Sequence, residues 1–353
     1  MSNIGILTFL HNGNYGSSLQ AYALQRVIRE MGYDCEHINY QPDTGEKIRN
    51  LLCSGNSPAL LLEGMKKRKV QGAQAGLREK RKRILGFYTR AMRLSPLCRN
   101  EKELKRIAEG YDLLVCGSDQ IWNPIWMNPA YFLDFAAADK PRIAYAPSLG
   151  ISRTPSRRKQ RIMRRLLPLF DAVSVREEEG ARILVSVTGS LYPVMPDPVC
   201  LLTAEEWEEA AADMPEREPY LLCYFIGERP DYWEKVRRLC AETGLKPLVI
   251  PVTAESYAQR EFPLLDGAGP EEFLGAVRGA ERLCTDSFHG LAFGTILQKR
   301  VELIRRDAEN DKNSKNSRTE HFLRQVRAHG LTAMRNEGRE WLHEQLTALS
   351  PLQ

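Results

Sequence analysis

The stretch Thr285-Asp286-Ser287-Phe288-His289-Gly290 sets hydroxyl, carboxylate and imidazole groups where an apolar run, Ala280 to Cys284, gives way to a helix-like run from Leu291 to Leu297. Its polar groups therefore belong to a strand-to-helix turn. In an open α/β sheet, ligands bind beyond the carboxyl ends of the strands, where loops carry side chains and helix N-termini carry partial positive charge. A histidine placed there can move a proton near neutral pH. The same spacing also fits a plain helix start, with Ser287 as the cap and His289 packed in the first turn. A hydrolytic Ser-His-Asp reading fits less well, because triads are assembled from distant segments.

Three further turns carry candidate chemistry. Asn3 to Leu10 reads as a buried first strand, followed by His11-Asn12-Gly13-Asn14-Tyr15-Gly16 and a helix with Leu19, Ala23 and Val27 on one face. This is not G-x-G-x-x-G; its glycines fit either a close backbone approach to an anionic or hydroxyl-rich ligand or a simple tight turn. The strand Asp112 to Cys116 opens into Gly117-Ser118-Asp119-Gln120-Ile121-Trp122-Asn123-Pro124. A carboxylate, an amide and an aromatic plane are what sugar recognition uses, although a capped turn anchored in the core by Trp122 fits equally. Arg176 ends a strand over 171–175, where a bidentate cation suits a phosphate or carboxylate, or simply pairs with a neighbour such as Glu178. Beyond a last strand, Arg305 to Arg318 reads as a polar surface loop or as a lid whose arginines close over an anion.

The elements that must position these turns alternate between strand and helix. Strands are expected near 35–40, 142–147, 220–226, 247–250, 282–284 and 301–304, and helices near 155–170, 231–243, 270–277, 291–297, 320–327 and 337–349. Such alternation predicts parallel sheets with helices on both faces. Prolines at 193, 196 and 198 mark a boundary, giving a domain over 1–190, a second over 191–330 and a terminal helix over 331–353. No convincing strand falls within about 41–110, which reads as a basic helical insertion. With 353 residues, 43% of them hydrophobic, two cores can be buried.

The net charge of +5 is concentrated: 15 Lys/Arg face 3 Asp/Glu between Lys66 and Arg106, and Arg153 to Arg165 holds 7 basic residues and no acidic one. These segments are either solvated helix faces or surfaces for polyanions. The eight cysteines are scattered without a C-x-x-C pair, which indicates neither a disulfide framework nor a zinc site, and no other metal-ligand cluster is visible. No apolar run approaches the roughly 20 residues that cross a bilayer, and the first residues lack a basic signal-peptide start, so a cytoplasmic protein is expected.

The turn around Asn12-Gly13-Asn14-Tyr15-Gly16 with Leu19 to Gln25, the segment Gly117 to Asn123, Arg142 to Tyr145, Ser174-Val175-Arg176-Glu177, Asp197-Pro198, Ser287-Phe288-His289-Gly290 and Asn316-Ser317-Arg318 together resemble the polysaccharide pyruvyl transferase family. Each is weak singly; the ordered set is specific. The resemblance implies a GT-B-like fold, two Rossmann-like domains facing across a cleft. It implies transfer of a pyruvyl group from phosphoenolpyruvate to two sugar hydroxyls, forming a cyclic ketal on a bacterial glycan or lipid-linked oligosaccharide, with no further cofactor. It makes His289 a catalytic residue, with Asp119 to orient or deprotonate the acceptor. Some branches of the family hold the donor with an arginine two positions before that histidine. Here the position is Ser287, which moves donor binding onto Arg176, Arg305 or Arg318 beside Ser287. Asn12, Asn14, Tyr15, Ser118, Gln120 and Trp122 fall to the acceptor. The basic segments suit peripheral contact with an anionic membrane, and no nucleic acid is expected. Two alternatives stand beside this reading: a nucleotide-sugar-dependent glycosyltransferase, since the fold alone decides nothing, and a non-catalytic protein that binds polyanions or membranes.

Overall fold

A computed structural model describes residues 2–56, 75–215, 217–229, 231–306 and 316–350. Lys66 to Lys69 of the expected basic insertion, and Asn310 and Asn313 of the expected lid, lie outside the described residues. So do the side chains of Asn316 and Ser317.

Within the described residues the chain forms two compact units. The first comprises 2–56, 88–201 and 325–350, and the second 75–87, 202–306 and 316–324. The first unit is built on five parallel strands, β1 (Asn3–Leu7), β2 (Asp34–His37), β3 (Leu113–Cys116), β4 (Arg142–Ala144) and β5 (Ala172–Val173), in the order β2-β1-β3-β4-β5. Ile4 lies opposite both Cys35 and Leu113. The central strands are apolar throughout, Leu113 to Cys116 being entirely buried, as strands covered by helices on both faces must be. Helix α1 (Tyr15–Glu30) follows β1; Asn14 caps it, its side chain accepting from Gly16 N at 2.9 Å. Helices α2 (Thr44–Ser54) and α3 (Ala75–Ala91) follow β2, and α4 (Glu101–Ala108) precedes β3. Helix α5 (Arg157–Leu166) leads into β5, and α6 (Glu178–Thr188) leaves it. Helices α2, α3 and α4 fall within 41–110, the stretch read from sequence as a helical insertion.

His37 on β2 is fully buried and its Nε2–H donates to Ala21 O at 2.9 Å. Burial pushes its pKa down to about 4 from the ordinary 6.5, outweighing the hydrogen bonds to backbone. Because the folded value is depressed, the unfolded chain binds the extra proton first. The contribution of His37 is present above about 6.5 and is lost as pH falls toward about 4. It amounts to about 3 kcal/mol. Urea titrations of the His37→Leu variant should show a flatter dependence of stability on pH across that window; an unchanged slope would overturn the assignment.

The second unit repeats the winding with four parallel strands, β6 (Tyr220–Tyr224), β7 (Lys246–Ile250), β8 (Arg282–Thr285) and β9 (Arg300–Leu303), ordered β7-β6-β8-β9. Helix α7 (Ala204–Glu209) precedes β6, α8 (Asp231–Thr243) follows it, and α9 (Ala254–Ala258) and α10 (Pro270–Gly279) follow β7. Helix α11 (Phe288–Ile296) joins β8 to β9, and it is apolar all round because it is buried on nearly every side. Part of α3 belongs here, Arg83 Nη1 lying 3.0 Å from Glu272 Oε1. Helix α12 (Asn316–Leu349) is one run bent at Gly330, which takes φ 76° and ψ 159°, where the sequence predicted two helices. Among the described residues, no helix is long and apolar enough to cross a membrane.

Candidate functional site

Both sheets reverse their winding direction at one place, between β1 and β3 in the first unit and between β6 and β8 in the second. The loops that leave paired strands in opposite directions open a crevice at such a point, and ligands bind there in open α/β sheets. Of the turns picked out from sequence, those at 11–16, 117–124 and 285–290 leave β1, β3 and β8.

In the first unit, the residues after β1 and β3 are tied to each other by buried side chains. Gln20 Nε2 donates to Thr8 Oγ1 at 2.9 Å, Gln20 Oε1 accepts from Ser118 N at 3.0 Å, and Thr8 Oγ1 donates to Ser118 O at 3.2 Å. Gly117 takes φ 121°, with Tyr145 O packed where a side chain would stand, so only glycine fits. Asp119, at φ 61°, follows directly. Its Oδ2 accepts from Ser17 Oγ at 2.5 Å and its Oδ1 from Gln120 N at 2.8 Å. Ser17 Oγ in turn accepts from Asn12 Nδ2 at 2.8 Å. The line Asn12, Ser17, Asp119 thus joins the loop after β1 to the loop after β3 and holds the Asp119 carboxylate in one orientation.

Arg176 stands beside that carboxylate. Its Nη1 lies 2.5 Å from Asp197 Oδ2 and 4.0 Å from Asp119 Oδ1, and its Nε lies 3.7 Å from Glu177 Oε2. Burial opposes its charge, but Asp197, Glu177 and Asp119 outweigh burial and raise its pKa. Glu177 Oε1 accepts from Ser148 Oγ at 2.9 Å and from Leu149 N at 3.0 Å. Arg176 thus pairs with Asp197 and, at longer range, with its neighbour Glu177. Three carboxylates surround this arginine, which the sequence places among the donor-binding residues.

Three residues expected to meet the acceptor are buried. Tyr15 is 1% exposed, and Ser118 is fully buried with its Oγ donating to Ala146 O at 2.5 Å. Trp122 is also fully buried, stacked on Phe132 at 4.9 Å between ring centroids, with Nε1 donating to Tyr131 O at 2.9 Å. The aromatic plane open to solvent is Trp126, 40% exposed. Asn12 is exposed and Asn14 and Gln120 are half-buried at the loop surface. Trp122→Ala should therefore lower stability by about 3–5 kcal/mol, whereas Trp126→Ala should change it by less than about 0.5 kcal/mol. Chemical denaturation of the two variants checks this, and equal losses would refute the assignment of anchor and open face.

In the second unit, Asp286 is the hub. Its Oδ1 accepts from Ile226 N at 2.7 Å, and its Oδ2 from Gly227 N at 2.8 Å and Tyr232 Oη at 3.0 Å. Arg306 grips the same residue twice, Nε reaching Oδ2 and Nη2 reaching the backbone oxygen, both at 3.1 Å. Burial, and then Asp286, push the Tyr232 phenol up. Gly227 has no room for a side chain, since a Cβ would lie 2.7 Å from Asp286 Oδ2 and 2.9 Å from Arg306 Cγ. Thr285 Oγ1 accepts from Ser287 N at 3.0 Å, and Ser287 Oγ accepts from Gly290 N at 3.3 Å, capping α11. His289 lies in the first turn of that helix, 6% exposed, its ring edge-on to Phe288 at 5.1 Å. Arg305 is half-exposed and 3.3 Å from Glu320, and Arg318 is buried in the first turns of α12. Arg306, next to Arg305, is thus bonded to the residue that follows β8. Ser17 was missed likewise, because its partner lies 102 residues away.

Two parallel α/β units with this winding constitute a GT-B-like fold. The UDP-GlcNAc 2-epimerase from Neisseria meningitidis bound to UDP-GlcNAc superposes with a TM-score of 0.52 at 9% identity, covering 99% of this chain and 100% of that one. The UDP-N-acetylglucosamine 2-epimerase from Rickettsia bellii gives 0.55 at 8% identity, covering 99% and 96%. At such identity the likeness defines the fold alone. No curated protein matches the sequence. Residues 14–307 match the polysaccharide pyruvyl transferase family, and the chain belongs to it. It is accordingly a transferase that acts on a polysaccharide.

Proposed function

We propose that this protein transfers the pyruvyl group of phosphoenolpyruvate to two hydroxyls of one sugar in a bacterial cell-surface glycan or its lipid-linked precursor, at the cytoplasmic face of the membrane. The observation that carries the reading is the family match over residues 14–307, which contains His289 at the start of the buried helix that follows β8. Phosphoenolpyruvate brings a carboxylate and a phosphate, so its site needs at least two cationic or N–H anchors. Arg306, fixed by Asp286, and the N-terminus of α11 supply them in the second unit. Arg305 and Arg318 stand on the flanking segments. Asp119 in the first unit, fixed by Ser17, takes the acceptor, with Asn12, Asn14 and Gln120 at the same loops.

His289 delivers a proton to the methylene carbon and makes C2 electrophilic. One acceptor oxygen bonds to C2, the bridging C–O bond to phosphate breaks with its electron pair going to phosphate, and the second acceptor oxygen takes the vacated position. Of the two hydroxyl protons released, one restores His289 and the other leaves on inorganic phosphate.

The test is acceptor-dependent release of inorganic phosphate from phosphoenolpyruvate, with a new methyl singlet of the ketal in the proton NMR spectrum of the glycan. Turnover of a nucleotide-sugar in its place, with no phosphoenolpyruvate binding by calorimetry, would sink the reading.

A further inference from the structure

We propose that α2 and α5 of the first unit form a docking surface for an anionic lipid bilayer. The proposal deepens the membrane part of the reading above but stands on different residues from its chemistry.

Helix α2 buries Glu46, Asn50 and Ser54 on one side and turns Ile48 and Leu52 outward, 49% and 68% exposed, one helical turn apart. Two large aliphatic side chains aligned on one exposed stripe have no place in the unit's own core. Helix α5 lies against the end of α2. Arg158 Nη2 donates to Leu52 O at 2.9 Å, and Lys159 Nζ is bonded to Asn56 Oδ1. Helix α5 carries six Lys/Arg and no carboxylate, and Arg157, Arg158 and Arg161 are exposed. Asn56 Nδ2 also donates to Met127 O at 2.9 Å, which brings the neighbouring Trp126, 40% exposed, to the same junction.

Aliphatic side chains beside uncompensated arginines, with an indole at the margin, are the composition of an interfacial surface. The apolar groups enter the acyl boundary while the cations meet the headgroups. A soluble polyanion would satisfy the arginines and leave Ile48 and Leu52 without a function, so the bilayer is the occupant that uses both. Cys53, adjacent to Leu52 and exposed, offers a thiol for a reporter, since the other cysteines are buried or half-buried.

The experiment uses the full-length protein carrying an environment-sensitive fluorophore on Cys53, mixed with phosphatidylcholine vesicles with and without 30 mol% phosphatidylglycerol, read by co-sedimentation and emission. Anionic vesicles should bind the protein and shift the fluorophore to the blue, and neutral vesicles should do neither. Ile48→Ser with Leu52→Ser should weaken binding about tenfold or more, and Arg157→Gln and Arg161→Gln about fivefold each. Circular dichroism verifies that the variants are folded, and because these positions are exposed on helices they should be. Binding that ignores the Ile48/Leu52 change, or tight binding to heparin in solution with no emission shift on vesicles, overturns the proposal. Neither result touches phosphate release with a soluble acceptor, so failure of this surface and failure of the catalytic reading are distinguishable.

Discussion

Replacing His289 by alanine should slow acceptor-dependent phosphate release by about 10²–10⁴-fold, the usual worth of one general acid or base. Affinity for phosphoenolpyruvate should change far less, because the anchors assigned to the donor are Arg306 and the amides of α11 rather than the imidazole. His289→Gln keeps most of the volume of this buried residue and removes its acidity, which separates loss of chemistry from loss of packing beside Phe288. Single-turnover kinetics with calorimetry on both variants decides the matter. A rate within tenfold of the parent would place the proton donor elsewhere, and a parallel collapse of donor affinity would make His289 a binding residue.

Arg176→Met should lower stability at neutral pH by about 3–5 kcal/mol, the cost of stripping one partner from a buried ion cluster. The substitution leaves Asp119, Glu177 and Asp197 facing one another without their cation, each less than 10% exposed as a residue. A donor-binding arginine behaves differently: its loss would weaken phosphoenolpyruvate and leave stability alone. Urea titrations, with donor titration alongside, discriminate the two roles, and an unchanged urea midpoint refutes the structural one.

The strands were legible because periodicity and burial coincide in them. Runs such as Leu113 to Cys116 are apolar at every position, and that pattern is local. Helix α11 was legible for the same reason, through Ser287 as its cap and the apolar run behind it. Partnership was not legible. Arg176 reads as an anion binder until Asp197, 21 residues on, and Asp119, far upstream, are folded around it. Trp122 and Trp126 are four positions apart in similar polar surroundings, and only Phe132 and Tyr131 decide which one is interior. Arg305 and Arg306 are indistinguishable by type; only the fold shows that the second bonds Asp286 and the first lies beside Glu320. Asp119, Ser287 and His289 are legible in position, because each follows a strand that the sequence already identifies.

The late return of the chain to its first unit has a consequence for how the protein is made. Tyr145 is fully buried and its ring meets Trp341 at 5.9 Å, Arg339 Nη1 donates to Leu201 O at 3.1 Å, and Gly338 packs against Tyr145, Pro196 and Leu201. A ribosome that has produced everything up to residue 324 has supplied all the described parts of the second unit, while the unit begun first still lacks 325–350. The order of completion is thus the reverse of the order of synthesis. The nascent protein carries an open core through most of translation, and it is in that interval that chaperones have most to protect.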